Sequence, residues 1–157
     1  MTSTCSSVIP GNATILESAQ HRCAETHAAF SNPDVKAIIC TIGGHTTNEL
    51  LPHLDYELIR ANPKIFIGYS DITLLHYALF VKAGLRTFYG PAVITQWGEF
   101  PQPYTFTADH FFRVVTRPVE SISLVPRSCE WTQEFLDWGT TDAEQRPRKM
   151  LQSPKWK

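Results

Sequence analysis

The stretch KIFIGYSDITLLHYALFVKAG, residues 64–84, predicts a buried strand that turns directly into a helix. Residues 64–69 form a short, nearly continuous apolar run, the pattern of a strand covered on both faces in a parallel sheet. From residue 71 to 83, Ile72, Leu75 and Leu79 fall on one helical face, with Leu74 and Ala78 beside them. Gly84 stops the helix, and Asp71 at its start and Lys82 at its end both complement the helix dipole. Ser70 stands at the junction of the two elements.

The same rhythm extends to either side. Residues 35–42 (VKAIICTI) are apolar, rich in β-branched side chains and closed by Gly43-Gly44, which predicts another strand buried on both faces. Residues 86–89 (RTFY) predict a third strand before Gly90-Pro91. A helix is expected over residues 15–30, where Leu16, Ala19, Cys23, His27 and Phe30 recur at three- or four-residue spacing until Asn32-Pro33 ends it. Residues 48–60 predict a further helical stretch, with Pro52 in an early turn or breaking it in two. Alternating strands and helices indicate an α/β fold, a three-layer open parallel sheet with helices on both faces, flavodoxin- or Rossmann-like. After a Pro-rich crossing at 96–104, an amphipathic helix is expected near 107–116 and an edge strand over 121–125; beyond Trp138 the pattern fades.

Composition narrows the classes of partner. Fourteen basic against fifteen acidic residues leave a net charge of −1, so no global field draws the chain to nucleic acid or an anionic membrane. A small neutral or zwitterionic partner fits better. Residues 1–13 read as an irregular leader without a targeting pattern, and no run approaches the roughly 20 apolar residues that span a bilayer, so a cytoplasmic location is expected. Cys5, Cys23, Cys40 and Cys129 lack metal-ligand spacing and are expected to be reduced, with Cys23 and Cys40 as small core residues. The closing stretch from Arg146 carries five basic residues and is expected to be an exposed linker.

Ligands of open parallel sheets collect beyond the carboxyl ends of the strands. Two such ends carry chemistry here, Gly43-Gly44-His45 and Ser70-Asp71. A hydroxyl at the turn, the N–H of Asp71 and an N–H of Gly43 or Gly44 are the parts of a nucleophile with its oxyanion hole. Gly68-Tyr69-Ser70-Asp71-Ile72 lacks the second glycine of the G-x-S-x-G elbow, and Ser70 could instead simply cap the helix. His45 and His76 are the internal histidines to weigh as a base; His76, six residues into the helix, falls on a different face from Ser70 and is expected to be buried. Trp97, Phe100 and Tyr104 either line a pocket or pack.

Residues 35–79 (VKAIICTIGGHTTNELLPHLDYELIRANPKIFIGYSDITLLHYAL), then TFYGPAV, and further on WTQEFLDW and RPRKM, strongly resemble the LD-carboxypeptidase family, especially its microcin self-immunity branch. The resemblance runs from about Ala24 onward. It implies a serine hydrolase that cleaves a peptide or amide bond near a terminal carboxylate, without metal or cofactor. Murein tetrapeptides and peptidyl-nucleotides are the implied substrates. Ser70 is then the nucleophile, and the N–H groups of Asp71 and the glycine loop, Gly44 included, form the oxyanion hole. Family members carry the Glu and His of a Ser-His-Glu triad in a second domain, so neither maps onto this chain. The expected layout is a leader over 1–13, an N-terminal α/β domain over 14–140 that is incomplete relative to the family, and a linker over 141–157 toward an absent C-terminal domain. Loss of a triad base costs a serine hydrolase about 10⁴–10⁶ in turnover, so the isolated chain is expected to be nearly inactive. Apolar surface left uncovered would favour a homodimer. The alternative is a non-catalytic α/β domain that binds a ligand or partner at the same strand ends.

Overall fold

The central strand of the sheet is β2 (Ile65–Gly68), flanked by β1 (Ala37–Ile39) and β3 (Phe88–Tyr89) in the order β1-β2-β3, all parallel. This computed structural model describes residues 15–117, 126–137, 140–141 and 145–154. By its contacts the chain divides after Ala92 into two compact units, 1–92 and 93–157. The segment 14–140 expected as one domain therefore spans parts of both.

In the first unit, helices fill each step between strands. α1 (Ile15–Ser31) precedes β1; a 3₁₀ helix (Thr47–His53) and α2 (Tyr56–Ala61) join β1 to β2; and α3 (Thr73–Ala83) joins β2 to β3. Parallel strands laid down in one direction through right-handed crossovers place their connecting helices on the same face. The core agrees: Phe30 of α1, Ile59 of α2 and Leu75 and Leu79 of α3 close over Phe66 of β2, with Ile38 and Cys40 packed against them. Ile67 alternates to the other face and is also fully buried. The α/β class and parallel sheet are as the sequence indicates.

Local chemistry sets the boundaries. Pro52 lies within the 3₁₀ helix, and the chain restarts at α2 under an Asp55 cap whose carboxylate accepts the Leu58 N–H at 2.9 Å. The helical stretch expected near 48–60 is thus two pieces. α3 ends at Gly84 in a left-handed conformation, its last turn closed by Gly84 N–H to Phe80 O and Leu85 N–H to Leu79 O, both 3.1 Å. His27, within the apolar stripe of α1, accepts the Asp55 N–H on Nε2 at 2.9 Å.

β1 departs from expectation. The residues 35–42 read as a strand buried on both faces, whereas only Ala37–Ile39 pair, Ala37 is exposed and Ile42 is 37% exposed. Position in the sheet explains this: among the described residues β1 has β2 as its one neighbour, while β2 has strands on both sides. Double-sided burial passes to Phe66 and Ile67.

The second unit begins with a π-helical turn (Val93–Trp97) and contains α4 (Thr105–Thr116) and an antiparallel pair, β4 (Glu130–Trp131) with β5 (Leu151–Gln152). Trp97 meets the Phe111 ring edge-on at 4.8 Å. The RPRKM stretch is largely exposed and carries ion pairs and a hydrogen bond. Arg146 reaches Glu134 at 2.9 Å, Arg148 reaches Glu99 at 3.1 Å, and Lys149 N–H donates to Glu134 at 2.6 Å. The edge strand expected over 121–125 and the leader over 1–13 lie outside the described residues. No described helix is long and apolar enough to cross a membrane.

Phe66 is 2% exposed, stacks on Phe30 at 6.3 Å and meets His76 edge-on at 5.8 Å. Phe66→Ala is expected to lower stability by about 3–5 kcal/mol in urea denaturation followed by circular dichroism. Leu74→Ala, on the exposed side of α3, should stay within about 0.5 kcal/mol.

Candidate active site

Past the end of β2, Tyr69 is still extended, and the backbone then reverses at Ser70 with φ 61, the one positive-φ non-glycine residue among those described. A single L-residue held there costs of order 1–3 kcal/mol. Its neighbours hold it in place. Ser70 O accepts the Thr73 hydroxyl at 2.5 Å, Ile72 N–H closes onto Tyr69 O at 3.3 Å, and Ser70 N–H donates to the Tyr89 hydroxyl at 3.3 Å. Ser70 is exposed, so its hydroxyl is open to solvent.

Gly68 permits the sharp strand-to-helix transition. A Cβ there would lie 2.7 Å from Ile72 Cγ2 and 3.1 Å from Cys40 Sγ. Ile72, where the G-x-S-x-G pattern has its second glycine, is therefore accommodated from the strand side. Behind Gly68, burial pushes the Cys40 thiol up to about 12, so this cysteine is an inert packing group.

The loop after β1 runs directly against this turn. A Cβ on Gly43 would fall 2.9 Å from Ser70 Cβ and 3.1 Å from Ser70 Oγ, an approach closed to any side chain. Gly44 follows at φ 154, beside the Asp71 carboxylate. Neither glycine's N–H finds an acceptor among the described residues. The N–H of Asp71, second in the 3₁₀ turn, precedes the first helical hydrogen bond. The residues Ser70, Asp71 and Gly44 singled out in the sequence are thus brought together.

Asp71 fastens the loop: Thr47 N–H donates to Asp71 Oδ2 at 2.9 Å. The Thr47 hydroxyl, foremost, then the Thr47 N–H and the charge of His45 hold the Asp71 carboxyl below its usual range against a smaller desolvation cost. Arg22 of α1 braces the far side of the loop through Thr46 Oγ1 at 3.1 Å and Glu49 at 3.3 Å.

The two histidines behave differently. His45 is exposed. His76 is half-buried, with Nε2 3.0 Å from Gly68 O and Nδ1 2.9 Å from Thr87 Oγ1. A carbonyl only accepts, so Nε2 carries hydrogen, and both ring nitrogens are committed to joining β2 and β3. In the second unit, Trp97 and Phe100 line a pocket of about 340 Å³, while burial and the nearby Glu99 push the Tyr104 phenol up. Among the described residues no three His, Cys, Asp or Glu side chains gather as a metal site would require. Sequence reasoning missed Tyr89, Thr47 and Arg22. Tyr89 could have been suspected from its place at the end of the third strand, the other two only from the folded loop.

Residues 4–90 match the model of the LD-carboxypeptidase N-terminal domain. The chain belongs to the LD-carboxypeptidase family. Among curated relatives, the microcin C7 self-immunity protein MccF of Escherichia coli is 41% identical over 134 residues, 85% of this chain and 39% of that protein. A probable murein peptide carboxypeptidase of Bacillus subtilis is 47% identical over 77 residues, 49% of this chain and 24% of that protein. The solved structure of MccF in complex with aspartyl sulfamoyl adenosine superposes with a TM-score of 0.75 at 41% identity, over 89% of this chain and 40% of that one. This chain therefore spans about two fifths of the length of that self-immunity protein.

Gly43→Ala should force the loop off Ser70 and cost about 1–3 kcal/mol in urea denaturation, as overpacking does. Asp71 gives a pH signature. Its folded pKa lies below the unfolded value of about 3.9, so its contribution is complete above that pH and is lost as pH falls through the folded value. Thermal midpoints of wild type and Asp71→Asn are therefore expected to differ most near neutrality and to converge under acid conditions.

Proposed function

We propose that this chain supplies the nucleophile and oxyanion donors of a serine carboxypeptidase-type hydrolase acting on a peptide or amide bond near a terminal carboxylate. One observation carries the assignment: an exposed serine in the left-handed conformation, at a strand-to-helix turn, against a glycine that leaves room for nothing larger than hydrogen. Ser70 Oγ attacks the scissile carbonyl carbon, and the oxygen of the tetrahedral intermediate takes hydrogen bonds from the N–H groups of Asp71 and Gly44. Each such donor is worth about 10²–10³ in turnover.

The Ser70 proton needs an acceptor. His76 is committed at both nitrogens, so the base is assigned to a Glu-supported His in the part of the relatives that this chain does not span. The proposed nucleophile and its donors, Gly44, Ser70 and Asp71, all belong to the first unit. An aminoacyl- or peptidyl-nucleotide is the favoured substrate class, because aspartyl sulfamoyl adenosine and glutamyl sulfamoyl guanosine are ligands of MccF. Free thiols at Cys23, Cys40 and Cys129 fit a cytoplasmic setting. The engagement of His76 also favours a second reading, a domain that binds such a ligand without cleaving it.

A fluorophosphonate is expected to label Ser70 about 10²-fold faster than free serine, the worth of one preorganised donor, and to leave Ser70→Ala unlabelled. Labelling at the free-serine rate would overturn the nucleophile assignment. Calorimetry with a D-amino-acid-terminated peptide that gives saturable binding without turnover would favour the binding domain.

A further inference from the structure

Ser70 N–H belongs to neither ladder that meets at the turn. The last sheet bond on this side is Gly90 N–H to Gly68 O at 3.0 Å, and the first helical bond is Ile72 N–H to Tyr69 O at 3.3 Å. Between them the chain turns left-handed, and the acceptor for the stranded N–H comes from another strand, as the phenol oxygen of Tyr89 at 3.3 Å.

That phenol is held at both sides. Tyr89 pairs with Gly68 in the β2–β3 register, which sets its side chain on the helix-bearing face. Its ring meets Tyr69 at 6.4 Å and His76 at 6.1 Å. His76 is itself fixed by Gly68 O and Thr87 Oγ1. Yet Tyr89 is 69% exposed, so burial does not account for an aromatic here. Its ordered contacts converge on one point, the amide of the candidate nucleophile.

We propose that Tyr89 is a positioning residue for Ser70, its phenol oxygen holding the Ser70 N–H so that the left-handed turn keeps the hydroxyl against Gly43. The functional consequence rests on Ser70 being the nucleophile. Without the phenol oxygen, the amide turns to water and the serine relaxes toward ordinary φ, which carries Oγ away from the glycine loop. His76 thereby gains a role too: it supports the tyrosine ring, and no proton transfer is asked of it.

Tyr89→Phe separates the acceptor from the ring, since it keeps the contacts with Tyr69 and His76 and removes only the oxygen. In the full chain, amide hydrogen exchange read by NMR should speed up about tenfold at Ser70, the worth of one hydrogen bond, while Ile67 and Leu79 stay unchanged. Fluorophosphonate labelling of Ser70 should slow about tenfold in the same variant. Unchanged exchange at Ser70, or an equal rise at Ile67, would overturn the proposal. Exchange needs no reagent, so a wild-type chain that resists the fluorophosphonate would overturn the hydrolase assignment alone and leave the exchange result to decide the role of Tyr89.

Discussion

The close approach of Gly43 to Ser70 is the constraint on which the site depends. Two loops, from the ends of adjacent parallel strands, must meet with no side chain between them while one of them runs through a left-handed serine. Everything nearby serves that contact. Gly68 lets the strand approach Ile72, Asp71 holds the glycine loop through Thr47, and Arg22 braces the same loop from α1. A strained residue persists only where its surroundings over-determine it, and here hydrogen bonds and sterics act from three sides.

The strain is tolerable because it sits at the end of the best-buried strand. Phe66 and Ile67 bury their side chains on opposite faces of β2, and burial of one large apolar side chain is worth about 1.5–3 kcal/mol, comparable to the cost of the turn. An elbow on β1 or β3 would lack that anchor, since both flank the sheet with shorter or more exposed strands. The location of the serine on β2 is thus mechanical as well as chemical.

Much of this was legible in residue order. Strand–helix alternation gave the parallel sheet, Pro52 gave the broken helix, and the two strand ends with small or polar residues pointed to the candidate site. What stayed hidden depended on neighbours rather than composition. Residues 35–42 look as apolar as residues 64–69, and nothing in them reports that β1 has one flanking strand among the described residues. Serine carries no mark of a positive φ, which arises from how Gly43, Thr73 and Tyr89 surround it. Tyr89 reaches Ser70 through strand register, across 19 residues of sequence. The basic run at 146–149 gave no sign of its ion pairs, because the acidic partners, Glu99 and Glu134, lie outside it in the sequence.

The parallel sheet also fixes an order of events in time. Gly43 can meet Ser70 only after β1 and β2 have found their register, and Tyr89 can reach the same residue only after β3 has docked. Each pairing joins residues more than twenty positions apart in the sequence, a slow, non-local step compared with forming a helix. The contacts that hold the left-handed serine are therefore complete only when both pairings are made. A chain whose strands have not paired carries the hydroxyl but not the aligned site, so the arrangement depends on the completed sheet.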